Sequence, residues 1–294
     1  MGSGRWSGSD FNAYAARHTT GRTTAQVFSQ DRIDQALDPL KFTMRESRDS
    51  EDNPQSNAII IGLDITGSMS VVLDSMARVG LNTLVTEIYN RKPVTDPHIM
   101  CLGIGDIECD GSPIQATQFE ADIRIAEQLR KIYLEGGGGG NDHESYALAW
   151  YLAAACTSID CMEKRNKKGY LFTVGDECPT PRLLVRHIQR VMKVCPQTDL
   201  TGAEALEMAR RKYHVYHVIV AEGSFARDNM ERVRQEWTHL LGQKALVLTH
   251  HQNLAELIVS AIQVNEGASI DDVIGSWSGP AQDTVRRSLR QLRV

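Results

Sequence analysis

A carboxylate and two hydroxyl side chains are spaced for metal binding near residue 64. Asp64 is followed by Thr66 at +2 and by Ser68 at +4, with Gly67 between the two hydroxyls. Carboxylate and hydroxyl oxygens are hard ligands that suit Mg²⁺, Mn²⁺ or Ca²⁺, and glycine lets the backbone turn tightly around an ion. The spacing therefore predicts a divalent metal site, with Mg²⁺ as the expected ion. The alternative is that Asp64 and Ser68 only cap a helix.

The elements around this segment place it at the edge of a sheet. Residues 58–63 form a continuous apolar run rich in β-branched side chains, typical of a strand buried on both faces, and the run ends at Asp64. Residues 71–90 have apolar side chains at helical spacing, and residues 98–105 resemble a second buried strand. Asp64 is thus expected at the carboxyl end of a strand, where ligands of parallel α/β sheets collect.

Strand and helix patterns continue to alternate as far as residue 264. One helix is predicted over the strongly apolar residues 144–162, and the strand that follows ends at Asp176. This alternation predicts an α/β protein of the doubly wound class, with a mostly parallel sheet and helices on both faces.

Residues 64–70, Asp-Ile-Thr-Gly-Ser-Met-Ser, resemble the D-x-[ST]-x-S loop that begins the metal-ion-dependent adhesion site of von Willebrand factor A-like domains. The resemblance covers residues 57–264 and implies a Rossmann-like, six-stranded sheet with strand order 3-2-1-4-5-6. It implies a metal at one edge of that sheet, with a coordination position open to a partner's carboxylate or to water. In this family a second acidic residue follows the fourth strand, a position that Asp176 matches; the alternative for Asp176 is a helix cap.

The middle loop departs from the family's usual G-G-T-x-T pattern. Residues 138–144 are Gly-Gly-Gly-Asn-Asp-His-Glu. Counting back from the following helix places Asp142, or else Asn141, at the position of the threonine ligand, and Glu144 is a further candidate to reach the ion. A carboxylate at this position predicts a metal that is held more tightly and is less open to an incoming ligand.

Other acidic side chains follow the ends of predicted strands. Glu177 lies next to Asp176, and Asp106 and Glu108 follow the second strand. Glu177 and Asp106 are additional candidates to contact the metal or a partner. For Asp106 and Glu108 the alternative is a solvated turn.

The signatures of common enzymes do not occur in the sequence. The five glycines at residues 136–140 lack the Gly-Lys-Ser/Thr of a phosphate-binding loop, and no G-x-G-x-x-G follows the first strand. No serine or cysteine sits in a nucleophile elbow with an evident histidine partner. A phosphatase of the haloacid dehalogenase kind needs an acid where Thr66 stands. The chain is therefore predicted not to be an enzyme, with an atypical metal-dependent phosphoesterase as the third functional alternative.

The composition points away from nucleic acid and membranes. The chain has 32 Lys and Arg against 37 Asp and Glu, a net charge of -5, which gives no general attraction to polyanions. The six cysteines lack a paired zinc-ligand spacing and are interpreted as reduced thiols. Residues 1–10 lack the basic and apolar regions of a secretory signal, and no apolar stretch approaches the ~20 residues that span a bilayer. A cytoplasmic location is the expectation.

Two extensions flank the central 57–264 domain. An N-terminal arm, residues 1–56, is polar but carries several aromatic side chains, and a short helix is predicted over residues 29–37. A C-terminal helical tail, residues 265–294, ends in a small basic helix, interpreted as a solvated end or as a docking helix for an acidic partner. The arm is expected to pack on its own domain or on a neighbouring subunit.

The resemblance implies a metal-dependent protein–protein interaction module. Intracellular bacterial and phage-encoded proteins of this family often act as adaptors for AAA+ ATPases of the MoxR type, or within stress and defence systems. The first functional interpretation is therefore a protein-binding adaptor that uses its metal to hold an acidic side chain of a partner. The second is a structural or assembly protein whose arm docks on neighbouring subunits, with the metal only stabilising loops.

Overall fold

The structure is a computed structural model that describes residues 4–136 and 140–290, apart from the side chain of Ser68. The strands of these residues are β1 (Arg45–Ser47), β2 (Asn57–Asp64), β3 (Pro97–Ile104), β4 (Ile114–Ala116), β5 (Thr157–Ile159), β6 (Gly169–Gly175), β7 (Arg182–Leu183), β8 (Leu200–Thr201), β9 (Tyr213–Val220) and β10 (Ala245–Leu248). The α-helices are α1 (Gly8–His18), α2 (Thr24–Val27), α3 (Ser70–Ser75), α4 (Leu81–Arg91), α5 (Arg124–Leu129), α6 (Tyr146–Ala155), α7 (Asp160–Arg165), α8 (Val185–Val191), α9 (Gly202–Arg210), α10 (Ser224–Leu241), α11 (Leu254–Asn265), α12 (Ile270–Gly275) and α13 (Gly279–Leu289). A π-helical turn, Met76–Gly80, joins α3 to α4.

The protein is an α/β protein with a six-stranded, mostly parallel central sheet. Its strands lie in the order β10-β9-β6-β2-β3-β4, and only β4 runs antiparallel to its neighbour. Counted along the chain, these six strands have the order 3-2-1-4-5-6, as the sequence resemblance implies. The order changes direction at β2, so the carboxyl ends of β2 and its two neighbours β3 and β6 meet at one edge of the sheet.

Helices cover both faces of this sheet because β2 is apolar on both sides. Every residue of β2 is buried. Ile59, Ile61 and Leu63 face a cluster that includes α4 and α11, whereas Ala58 and Ile60 face a second cluster that includes α6. Alternate side chains of a strand point to opposite faces, and a run without polar alternation therefore requires cover on both.

The long helix predicted over residues 144–162 is wrong. The segment is divided into α6, the short strand β5 and α7. The division arises because β5 pairs in parallel with β1 of the N-terminal arm, with Arg45 opposite Thr157 and Ser47 opposite Ile159. The hydrogen bonds between β5 and β1 outweigh the local helical pattern of residues 144–162. That pattern gives no indication that the N-terminal arm pairs with this segment.

The N-terminal arm packs on its own domain. Trp6, Phe11 and Tyr14 are buried in the same cluster as α4 and β2, and Tyr14 donates a hydrogen bond to the carbonyl of Ala126 at 3.1 Å. The helix predicted over residues 29–37 does not form; a single helical turn, α2, lies just before that segment. These aromatic side chains of the arm are thus covered within the chain, whereas Leu40 and Met44 of the same arm are each 42% exposed.

Arg48 fastens the arm to the domain. Its guanidinium contacts Asp160 at 2.8 Å and Glu163 at 2.7 Å, both on α7, and the Asp160 side chain is only 2% exposed.

We expect Arg48→Ala to lower the free energy of unfolding by about 1–2 kcal/mol, because it removes charged hydrogen bonds from a buried carboxylate. Urea unfolding measures the change. The matched control is Arg182→Ala, which removes an exposed pair with Asp199 and should cost less than about 1 kcal/mol; equal effects would contradict this role.

The C-terminal tail also belongs to the folded body. Thr284, Val285, Ser288 and Leu289 of α13 are buried, and α13 packs against α11 and β10. The interpretation of the tail as a solvated end is therefore wrong for residues 279–289, and Arg293 lies outside the described residues. Within residues 4–136 and 140–290, no helix combines the length and the apolarity needed to cross a membrane.

Candidate metal centre

Asp64 is the last residue of β2, and three groups hold its carboxylate. Oδ1 accepts hydrogen bonds from the backbone N–H of Thr66 at 2.9 Å and from the Thr66 hydroxyl at 2.6 Å. Oδ2 accepts one from the Tyr146 hydroxyl at 2.9 Å. The carboxylate is 1% exposed, and burial raises its pKa. The carboxylate of Asp64 is thus held at the predicted end of the strand and is almost fully shielded from solvent.

Tyr146 reaches Asp64 only because residue 175 has no side chain. A Cβ at Gly175, the last residue of β6, would lie 1.9 Å from the Tyr146 hydroxyl oxygen. Tyr146 lies 82 residues from Asp64, and its aromatic ring on an apolar helix predicts only a core position, so this contact has no local signal in the sequence. The pairing depends on how α6 packs across the sheet.

Gly175→Ala tests this close approach. We expect it to destabilise the fold by roughly 1–3 kcal/mol, because the added methyl group collides with the Tyr146 hydroxyl and must displace it from Asp64. Urea unfolding measures the loss. Gly275→Ala is the matched control, since a Cβ at Gly275 meets nothing within 4 Å. Two variants of equal stability would show that the contact is not required.

Asp176 lies at the same edge, directly after β6. Its charge adds to the effect of burial in raising the pKa of Asp64. Asp176 Oδ2 accepts a hydrogen bond from the backbone N–H of Phe225 at 2.9 Å, at the beginning of α10. Asp176 therefore does cap a helix, although that helix is α10 and not the segment after Asp176 in the sequence. Gly223 permits the approach, because a Cβ there would lie 2.3 Å from the Asp176 side chain.

Two further carboxyl groups, Glu144 and Glu177, are withdrawn from solvent beside Asp64. Glu144 is 1% exposed, and burial followed by the charges of Asp64 and Glu177 raises its pKa strongly. Burial followed by the charge of Asp64 raises the pKa of Glu177 to about 8. Glu144 Oε2 and Glu177 Oε2 are both buried, and neither has a hydrogen-bond partner within the described residues. Such acceptors are costly to bury, and a bound cation would offset the cost.

Asp142 turns away from this cluster. Its Oδ2 pairs with the guanidinium of Arg232 on α10, its Oδ1 lies 3.1 Å from His143 Nδ1, and its side chain is 45% exposed. The hydrogen bond from Arg232 lowers the pKa of Asp142. The placement of Asp142 at the threonine position stays a prediction; in this structure Asp142 is paired with Arg232, and Glu144 is the buried carboxyl group of the same loop. The alternative candidate, Asn141, donates a hydrogen bond to Asp106 Oδ2 at 2.7 Å.

Asp106 belongs to the buried group, unlike its neighbour Glu108. Asp106 is 1% exposed; its Oδ1 accepts a hydrogen bond from the Glu108 backbone N–H at 2.8 Å. The charge of Asp106 is one of those that raise the pKa values of Glu144 and Glu177, after burial and closer carboxylates. The solvated-turn interpretation therefore holds for the exposed Glu108 and is wrong for Asp106.

Some predicted ligands lie beyond what the structure describes. The side chain of Ser68 and the glycines at residues 137–139 fall outside the described residues. Among the described residues, no group of three or more His, Cys, Asp or Glu side chains is arranged to hold a metal ion by itself. A site of the predicted kind draws part of its ligands from hydroxyl groups, and Thr66, 8% exposed, is the described hydroxyl nearest to Asp64 in the chain.

No family model and no curated protein sequence matches the chain. Solved structures that resemble it include two crystal structures of the pilus adhesin SpaC from Lactobacillus rhamnosus GG. The open conformation shares 10% identity over 75% of this chain and 31% of the adhesin, with a TM-score of 0.47. The second form shares 9% identity over 75% of this chain and 32% of the adhesin, with a TM-score of 0.46. This chain thus spans about a third of the adhesin's length.

Proposed function

We propose that the chain is a metal-dependent protein-binding module that holds Mg²⁺, or alternatively Mn²⁺ or Ca²⁺, beside Asp64. The observation that carries this proposal is the pair of buried oxygens, Glu144 Oε2 and Glu177 Oε2, that lack hydrogen-bond partners in the described part of the chain. Several carboxyl groups raise one another's pKa values at this point. A divalent cation would bind where protons otherwise have to neutralise the cluster.

The proposed ligands are hard oxygens from three loops. Asp64 and Thr66 come from the loop after β2, with Ser68 added on the resemblance, and Glu144 comes from the loop before α6. Asp176 and Glu177 follow β6 and would act through bound water, because no group of three or more acidic side chains of the described residues is arranged to hold an ion directly. Mg²⁺ keeps several water molecules in protein sites, and replacement of one of them by an oxygen of a partner protein would link the two chains.

The finer identity of the module is part of the same proposal. The D-x-T-x-S segment after β2 and the strand order 3-2-1-4-5-6 support a doubly wound von Willebrand factor A-like domain with a metal-ion-dependent adhesion site. From the resemblance alone, we infer a cytoplasmic adaptor within a multi-protein system, with a MoxR-type AAA+ ATPase as the first partner to test.

Capture from the native source tests the proposed function. The full chain, immobilised in Mg²⁺, should retain a protein partner that EDTA releases and that is then identified. The same partner should bind again when purified, in Mg²⁺ and not in EDTA. Retention that is unaffected by EDTA would reject the metal bridge.

Metal binding should strengthen as the pH rises. Burial and neighbouring carboxylates raise the pKa of Glu177 to about 8 and raise those of Asp64 and Glu144, so an entering ion must displace protons at neutral pH. Between the unfolded pKa of about 4 and these raised values, the folded state binds more protons than the unfolded state. The metal-free protein should therefore lose stability from pH 5 to pH 8, and Mg²⁺ should restore it.

Thermal unfolding at pH 5, 6, 7 and 8, with Mg²⁺ and with EDTA, measures both effects. The stabilisation by Mg²⁺ is expected to increase at each step. A stabilisation by Mg²⁺ that is the same at every pH would contradict carboxylate ligation at this site.

A further inference from the structure

A second site lies at the opposite edge of the central sheet. A cleft of about 590 Å³ opens beside the amino ends of β6, β9 and β10, whereas the acidic cluster lies at carboxyl ends. Its volume falls in the range of about 300–1,000 Å³ that small-molecule sites occupy. The cleft is thus large enough for a ligand and is separate from the candidate metal centre.

The charged residues that line this cleft are all basic. Lys168, Arg210 and Lys244 contribute to its walls, and the described lining residues include no Asp or Glu. Lys168 and Lys244 form no ion pair with the described residues, whereas Arg210 pairs with Glu207 at 2.6 Å. A net positive charge from Lys168 and Lys244 therefore remains inside a concave surface, which concentrates the field of the cations.

Lys244 lies against two aromatic side chains of this cleft. Its Nζ lies 3.5 Å from His214 Nδ1 and 5.0 Å from the centre of the Tyr216 ring. Burial, followed by the charges of Arg210 and Lys168, lowers the pKa of Lys244. Burial, followed by the charges of Lys244 and Lys168, lowers the pKa of His214 to about 4. The ammonium group is thus held against a neutral imidazole, with two other cations close enough to repel it.

A second acidic group, Glu266, does not neutralise the two lysines of the cleft. Glu266 pairs with Lys167 at 3.0 Å and accepts a hydrogen bond from the Tyr170 hydroxyl, and it is not among the residues that line the cleft. Its influence on His214 ranks below burial and the two lysines. A bound anion would relieve the repulsion between the lysines.

We propose that this cleft binds a small phosphate-bearing anion through Lys168, Arg210 and Lys244. A phosphate group carries more than one negative charge and several acceptor oxygens, which suit two ammonium groups and one guanidinium. A single carboxylate would neutralise only one of the two lysines, and Arg210 already has a carboxylate partner in Glu207. The cleft also has room for more than a bare phosphate, and a phosphate ester or diphosphate is the expected size of ligand.

Calorimetric titration with inorganic pyrophosphate tests the site. The titration is done on the full chain in EDTA at constant ionic strength, so that no metal ion at the other edge of the sheet contributes. We expect a single site whose affinity falls as NaCl rises. Lys244→Gln and Arg210→Gln should each weaken binding by about tenfold or more, while their circular dichroism spectra stay unchanged.

Arg182→Gln is the matched control, because Arg182 is exposed and lies outside the cleft. It should bind pyrophosphate as the unmodified chain does, and a tetraglutamate peptide should bind less tightly than pyrophosphate. The proposal fails if pyrophosphate gives no binding heat, if Arg182→Gln weakens binding as much as Lys244→Gln, or if the peptide binds at least as well.

Discussion

Asp64→Ala is expected to weaken Mg²⁺ binding by at least about 100-fold, or about 2.7 kcal/mol, and to abolish Mg²⁺-dependent capture of the partner. The residue ends β2 with both carboxylate oxygens already oriented by Thr66 and Tyr146. Removal of an oriented anionic ligand should lower the metal affinity by more than the roughly 10- to 100-fold loss that is typical when a residue hydrogen-bonded to a ligand is mutated. Calorimetric titration with Mg²⁺ measures the first effect, and capture followed by EDTA elution measures the second.

The fold should survive this change. Asp64 is buried among other acids, and removal of its charge takes away repulsion as well as hydrogen bonds. Asp64→Asn serves as a second variant that keeps the shape and most of the hydrogen-bonding atoms. Asp283→Ala, which alters an exposed carboxylate on α13, is the control. Mg²⁺ affinity that remains within a few-fold of the original in both Asp64 variants would exclude Asp64 as a ligand.

The position of Asp64 could be predicted because it depends on a local signal. The apolar run of residues 58–63 has no polar alternation, and only a central, doubly covered strand accommodates such a run. The strand β2 ends at Asp64 as expected, with every residue buried. Asp176 could be located for the same reason, since β6 is mostly apolar, is buried at every residue and ends one residue before it.

The direction of individual side chains could not be predicted in this way. A count of residues back from a helix places Asp142 and Glu144 in one loop, but it does not show which of them faces the sheet. That choice depends on Arg232, which lies 90 residues from Asp142 and pairs with it from α10. Tyr146 likewise depends on Gly175, whose missing side chain matters only once α6 and β6 are packed together.

The N-terminal arm shows the same limit on a larger scale. Its sequence is polar and lacks a long period, yet Trp6 and Phe11 are buried, and β1 pairs with β5. The arm acquires its structure from the domain that it covers, and that domain acquires β5 from the arm. Neither segment alone contains the pattern, because the hydrogen bonds that specify both strands join residues more than a hundred positions apart.

Glu144→Gln and Asp142→Asn are expected to differ in their effect on metal binding, with a large loss of affinity for the first and little change for the second. Glu144→Gln should weaken Mg²⁺ binding by about 100-fold, or about 2.7 kcal/mol, and at pH 8 should make the metal-free protein more stable. The reason is that Glu144 is an almost fully buried acid whose charge is opposed by burial, Asp64 and Glu177, and a neutral amide of similar shape escapes that penalty. An acidic side chain that destabilises the metal-free protein and stabilises the metal-bound protein behaves as a metal ligand.

Asp142→Asn should leave the Mg²⁺ affinity within about threefold of that of the unmodified chain. The reason is that an exposed carboxylate already paired with an arginine contributes little to the binding of an ion that it does not contact. The change should instead remove the ion pair between Arg232 and Asp142 of the loop. Titration of both variants with Mg²⁺, together with thermal unfolding in EDTA, distinguishes the roles of the two residues.

If Asp142→Asn lowers the Mg²⁺ affinity more, Asp142 must leave Arg232 for the ion on binding, and the loop would then rearrange between the metal-free and metal-bound states. If Glu144→Gln is the more damaging, the loop already points the correct carboxyl group toward Asp64, and Arg232 is what keeps the competing one away.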